Sequence, residues 1–138
     1  MAGVLCSNEQ DDRRSWSVYL LGVTEPEQAI GIVTLLRHSL NDVEGPGQWE
    51  LGYLFRPQVW GKGFATEACG SAVESLRSDH AGFETVVYAA VDIANSKSLR
   101  VLAKLGFHFN KHKVFGGPRR FLGGDWRPHE ILYFTKQL

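Results

Sequence analysis

Residues 50–66 read ELGYLFRPQVWGKGFAT. Trp49 to Phe55 is apolar and aromatic and predicts a strand, which Arg56-Pro57 ends because proline fixes φ and brings no N–H to a ladder. From Phe64 the residues Phe64, Ala65, Ala68, Cys69, Ala72, Val73 and Leu76 recur at one-four-one-four spacing, the apolar stripe of an amphipathic helix. Gly61-Lys62-Gly63 joins the two. The first N–H groups of a helix have no intrahelical acceptor, and with the helix dipole they favour an anion. Glycines without Cβ let the backbone turn sharply and approach a pyrophosphate closely. Lys62 adds charge there and Thr66 a hydroxyl. The plain alternative is a glycine-rich turn without a ligand. Other nucleotide loops fit less well. A Walker A loop needs Ser or Thr directly after its lysine, and a dinucleotide fingerprint needs a glycine or alanine where Thr66 stands.

Working outward, Trp16–Leu21 and Ala29–Leu36 predict a strand hairpin around the Glu25-Pro26-Glu27 turn, and Asn41–Gly47 is a loop by composition. Downstream, Thr85–Val91 predicts a strand. Ser96–Leu105 predicts a helix with Leu99, Leu102 and Leu105 on one face and Gly106 just past its end. Phe107–Phe115 and Glu130–Phe134 predict two last strands around a Gly/Pro-rich connection that holds Arg119, Arg120, Trp126 and Arg127. The order is β-β-β-α-β-α-β-β, a mixed α/β (α+β) sheet with flanking helices.

With Lys+Arg 15 against Asp+Glu 15, the chain lacks the charge excess of a nucleic-acid coat or an anionic-membrane binder. No apolar run approaches the ~20 residues that span a bilayer. Cys6 and Cys69 form no CxxC pattern, which suits a reducing, cytoplasmic setting. His108 and His112 lack a third metal ligand nearby, so no metal is expected, and Cys69 lies on the apolar stripe as a core residue.

Gln58-x-x-Gly61-x-Gly63 resembles the (Arg/Gln)-x-x-Gly-x-(Gly/Ala) signature of the GNAT N-acetyltransferase superfamily. The longer run GYLFRPQVWGKGFATEA, together with Asn95-Ser96-Lys97-Ser98-Leu99-Arg100-Val101-Leu102-Ala103-Lys104-Leu105-Gly106-Phe107, is similar to its RimJ/RimL-like branch. The resemblance covers residues 16–138. It implies a mostly antiparallel sheet in which the Trp49–Phe55 and Thr85–Val91 strands are central neighbours that splay apart. Acetyl-CoA would slot between them as co-substrate, its pantetheine beside strand amides near Leu54 and Phe55, with Ala89 and Ala90 leaving room. Its pyrophosphate would meet Gln58, Trp60, Gly61, Lys62, Gly63, Phe64, Ala65 and Thr66, and Asn95 would bond the pantetheine amides. The implied activity is acetyl transfer to an amine: a protein N-terminus, a polyamine or a small metabolite.

That chemistry needs a neutral amine, a polarised thioester carbonyl and a stabilised thiolate. Glu50 is the candidate general base. Ser98 is the candidate hydroxyl for the departing sulfur, since the helix offers no tyrosine where many relatives carry one. Asn95 is equally a plain helix N-cap. The family's first strand and helical pair, one wall of the acceptor groove, find no counterpart in residues 1–15, which are polar and expected to be a mobile tail. A homodimer joined through the exposed edge of the Trp16–Leu21 strand, or through the late strands, is the expected consequence. Against the enzyme stand a non-catalytic acyl-CoA-binding module or assembly subunit and, more distantly, another kind of nucleotide-binding domain.

Overall fold

The computed structural model describes residues 2–10, 13–22, 28–37, 48–79, 84–120 and 126–138. The strands are β1 Ala2–Gln10, β2 Arg13–Leu20, β3 Gly31–Arg37, β4 Gln48–Phe55, β5 Val86–Asp92, β6 His108–Arg120 and β7 Trp126–Gln137. The helices are α1 Phe64–Asp79 and α2 Ser96–Lys104, with a 3₁₀ turn at Pro57–Val59. Every expected strand and helix is present to within a few residues at each end. The turn at 25–27 and the loop at 41–47 lie outside the described residues. The late strands run longer than expected, so Arg119 and Arg120 close β6 and Trp126 and Arg127 open β7 instead of occupying a loop.

The seven strands form one sheet in the order β1-β2-β3-β4-β5-β7-β6. All neighbours are antiparallel except β4 and β5, which are parallel because α1 carries the chain back between them. Alternation along each strand sorts the side chains into two faces. Val18, Val33, Leu35, Trp49, Leu51, Phe55, Val87, Ala89 and Val91 pack with Ala68, Cys69, Ala72, Val73 and Leu76 of α1 and Leu102 of α2 in one core. Arg14 ties β2 to the end of α1, its Nη1 2.6 Å from Asp79 Oδ2 and its guanidinium 5.4 Å from the Trp49 ring centre. The opposite face of β3 and β4 leaves Ile32, Leu36 and Leu54 exposed. Both described helices therefore serve one side of the sheet.

The front of the chain departs from expectation. Residues 2–10 are a strand, β1, paired with β2 from Ala2↔Leu20 to Gln10↔Arg13, where a mobile tail was expected. The first strand is present, and the edge of β2 is covered. Only residues 11 and 12 separate β1 from β2, which leaves no length for two helices. The helical pair between them is what is lacking, and among the described residues no helix covers the face of β3 and β4 that carries Ile32, Leu36 and Leu54.

Candidate functional site

The parallel pairing of β4 with β5 covers Gln48↔Val86, Trp49↔Val87 and Glu50↔Tyr88, and it stops there. β4 runs on to Phe55 and β5 to Asp92, so the two central strands part and their inner backbone groups lose each other as partners. Which groups these are follows from the other side of β4. Arg56 N–H donates to Ile30 C=O at 2.8 Å, in the register that sets Leu54 opposite Ile32 and Phe55 opposite Gly31. Antiparallel pairs alternate between bonded and non-bonded. Leu54 therefore spends its backbone groups on β3, and Tyr53 and Phe55 turn theirs toward the opening. The strand amides available to a ligand are those of Tyr53 and Phe55, a correction to the expected pair of Leu54 and Phe55.

The opening leads into a groove of about 420 Å³. β4 lines it with Tyr53, Leu54 and Phe55, the connection with Val59, Trp60, Gly61 and Gly63, and the first turn of α1 with Phe64, Ala65 and Thr66. The facing wall comes from the start of α2: Asn95, Lys97, Ser98, Arg100, Val101 and Lys104. Ten of the expected site residues thus meet around one groove. Gln58 and Lys62 stand in the same connection but are not on its wall, so the (Arg/Gln) place of the motif and the lysine between the glycines contribute no lining surface.

The cradle has the geometry its glycines suggest. Gly61 and Gly63 adopt φ of +76° and +83°, the left-handed region that side chains with a Cβ rarely enter. A Cβ built on either would meet nothing within 4 Å, so the space before these amides is open. Glu67 N–H is the donor that returns to Gly63 C=O, at 3.0 Å, which leaves the amides of Phe64, Ala65 and Thr66 at the free start of the helix. With Lys97, Arg100 and Lys104 on the facing wall, the groove suits a phosphate-bearing ligand. Coenzyme A fits this donor set: open glycine amides for a pyrophosphate, freed strand amides for an amide-bearing arm, and cations alongside.

Trp60 is more than packing. Its Nε1–H donates to Phe55 C=O at 2.8 Å, and Lys97 Nζ lies 4.3 Å from its ring centre, linking the cradle to α2 across the groove. Asn95 caps α2, its Oδ1 accepting Ser98 N–H at 3.2 Å. Beside this cap stands a residue that strand patterning did not mark. Tyr53 sends its ring from β4 toward α2, and its hydroxyl donates to Ser98 C=O at 3.4 Å. Burial raises the Tyr53 phenol above its usual pKa; a hydrogen bond with the Ser98 side chain opposes the rise and nearby Cys69 adds to it. Burial also pushes the Cys69 thiol up to about 12, which keeps it protonated and suits a core residue better than a nucleophile.

Glu50 lies elsewhere. It stands opposite Leu36 on β3 and Tyr88 on β5, on the bare face of the sheet, half-buried, and outside the groove wall. It also belongs to the last residue pair before β4 and β5 part. The next place on that face of β4 is Gly52, and the Thr34 side chain of β3 fills the space beside it, its hydroxyl donating to Gly52 C=O at 3.4 Å.

Comparison with known proteins follows this geometry. The family model described as an acetyltransferase (GNAT) domain matches residues 1–108. A curated relative, the uncharacterized protein YkkB of Bacillus subtilis (strain 168), is 32% identical over 73 residues, 50% of this chain and 39% of that protein. An acetyltransferase of the GNAT family from Streptococcus pneumoniae superposes with a TM-score of 0.71 at 16% identity, over 94% of this chain and 68% of the other. The spermidine N-acetyltransferase of Vibrio cholerae, solved in complex with CoA and spermine, superposes with a TM-score of 0.67 at 19% identity, over 92% and 66%.

Proposed function

This chain belongs to the GNAT acetyltransferase family, and from that premise we propose that it moves an acetyl group from acetyl-CoA to an amine by direct attack. The observation that carries the proposal is the groove where β4 and β5 part, with the Gly61 and Gly63 amides at one end and the Tyr53 and Phe55 amides along its side. Bound acetyl-CoA supplies the activated acetyl thioester. Gly61, Gly63 and the α1 start hold the pyrophosphate, and Lys97, Arg100 and Lys104 flank it. A Tyr53 or Phe55 N–H directed at the carbonyl oxygen favours the charge that builds there. Glu50 takes the proton of the amine from the bare face, and Ser98 offers its hydroxyl to the sulfur. The acceptor is a protein N-terminus, a polyamine or a small amine, and the RimJ/RimL-like branch is the proposed relation.

Thermal unfolding with CoA, acetyl-CoA, ATP and NAD tests the ligand. CoA at 100 times its dissociation constant is expected to stabilise the fold by about 2.7 kcal/mol. A response to ATP or NAD with none to either CoA ligand would overturn the reading. The absent helical pair favours a second reading, an acyl-CoA-binding module without catalysis. Release of free thiol from acetyl-CoA with a panel of amines separates the two, because only the enzyme liberates thiol in step with acceptor.

A homodimer remains part of the proposal, through the late strands, the second of the two edges expected. β1 covers β2, but β6 ends the sheet at the other side and exposes Phe109 and Val114. Unpaired backbone groups beside apolar side chains favour pairing with a second chain. Light scattering at micromolar concentration is expected to give twice the chain mass, with Val114→Lys shifting it toward the monomer. A monomeric wild type would end the idea.

A further inference from the structure

We propose that Tyr53 is the hydroxyl that binds the sulfur of the acyl donor and protonates the leaving thiolate. The inference rests on the acyl-transfer reading above and moves the sulfur role within it from Ser98 to Tyr53. Strand alternation sends the Tyr53 ring to the face that carries both helices, and the ring lines the groove from below. Its hydroxyl reaches the first turn of α2, 3.4 Å from Ser98 C=O. That is long for an O–H···O bond, whose ordinary range is about 2.5–3.0 Å. A phenol so loosely held exchanges its acceptor readily for a sulfur arriving in the same groove. The Tyr53 N–H faces the same opening, so the residue meets a thioester with an amide and a hydroxyl together.

The rest of the wall offers less. α2 reads SKSLRVLAK, with no tyrosine and with Ser96 and Ser98 as its hydroxyls. A serine hydroxyl is a far weaker acid than a phenol and gives up its proton less readily. Cys69 is buried in the core and stays protonated. Lys97 is held over the Trp60 ring. Partial burial keeps the Tyr53 phenol in its neutral, donating form through neutral pH.

The proton count closes. The amine nitrogen forms its bond to the acyl carbon and loses one proton to Glu50 or solvent. The carbon–sulfur bond breaks with its electron pair going to sulfur. The Tyr53 O–H proton passes to that sulfur, and the phenolate regains a proton from water in the groove. Amide and thiol leave, and the tyrosine is restored.

Tyr53→Phe removes one oxygen and keeps the packing ring, so the fold is expected to survive with an unchanged melting temperature. The decisive measurement needs no turnover: the thiol of bound CoA is titrated by the ultraviolet absorbance of its thiolate. A hydroxyl donor on the sulfur favours the thiolate, so Tyr53→Phe is expected to raise the titration midpoint by about 1–2 pH units. In turnover the same variant is expected to lose about 10–100-fold in kcat with the affinity for acetyl-CoA little changed. A tyrosine that merely braced α2 through Ser98 would lower melting temperature and affinity and leave the midpoint in place, and that result overturns the proposal. So does a midpoint moved by Ser98→Ala and not by Tyr53→Phe, even if acyl transfer itself is observed. Failure of the wild type to bind CoA would instead bring down the acyl-transfer reading, and this inference with it.

Discussion

Gly63→Val is expected to abolish coenzyme A binding while leaving a folded domain, and Gly61→Val to do the same. The reason lies in the backbone more than in crowding. Both glycines sit near φ +80°, and the space where a Cβ would project is clear of protein atoms. A β-branched residue is a genuine outlier in that region, at a cost of about 1–3 kcal/mol. The connection relieves the strain by turning its peptides, and the amides then no longer converge on an anion. A side chain that keeps the turn projects instead into the open space that a pyrophosphate would occupy. Either way the loss of affinity is expected to exceed about 100-fold, since strain alone accounts for roughly 10–100-fold. Isothermal titration with CoA checks it, with circular dichroism confirming the fold. Both variants binding within a few-fold of wild type would place the phosphate site away from this turn. The core residues of α1 point away from the cradle, so general unfolding is not the expected outcome.

The turn was legible because its signal is local: a strand, a proline, two glycines and a helical stripe within one short run. The features that escaped depend on parts of the chain that meet only on folding. β1 reads AGVLCSNEQ, with no clear apolar alternation to announce a strand, and it joins the sheet through backbone pairing with β2. Its presence narrows the missing piece from the first strand and helical pair to the helical pair alone. Strand identity alone does not say whether the Leu54 amide is free; the bond from Arg56 to Ile30 decides which backbone groups face the opening. Tyr53 looked like one more strand aromatic because its partner, Ser98, lies 45 residues on. Lys97, Arg100 and Lys104 follow helical spacing on α2. That this flank faces the groove depends on how Leu99, Leu102 and Leu105 seat the helix, with Leu102 fully buried.

Glu50→Gln is expected to lower turnover by about 10²–10⁴-fold near neutral pH, the range of general acid–base catalysis, with acetyl-CoA affinity little changed. The two halves of that expectation come from where Glu50 stands. It is not among the residues that line the groove, so the cofactor should not register its loss. It does stand at the last β4–β5 pair, on the face opposite the helices. An acyl group held in the slot between the parted strands is therefore approachable from the face opposite the helices, past Gly52 and the Thr34 hydroxyl beside it. An amine arriving that way meets Glu50 before it meets the carbonyl. Replacing the carboxylate by the amide keeps size and hydrogen bonding while removing the proton acceptor. The deficit should narrow as pH rises, because a growing share of the amine is already neutral without help. Initial rates across roughly pH 6–9 check this. A deficit independent of pH would mean that Glu50 orients the acceptor instead of deprotonating it. Full activity throughout would pass the base role to water or to the acceptor's own surroundings. A gain in acetyl-CoA Kd equal to the loss in turnover would show that the groove and the bare face are not separable. The lack of a helical pair sharpens the test. With no helices between β1 and β2 to wall the acceptor side, Glu50 is the carboxylate that the last β4–β5 pair presents.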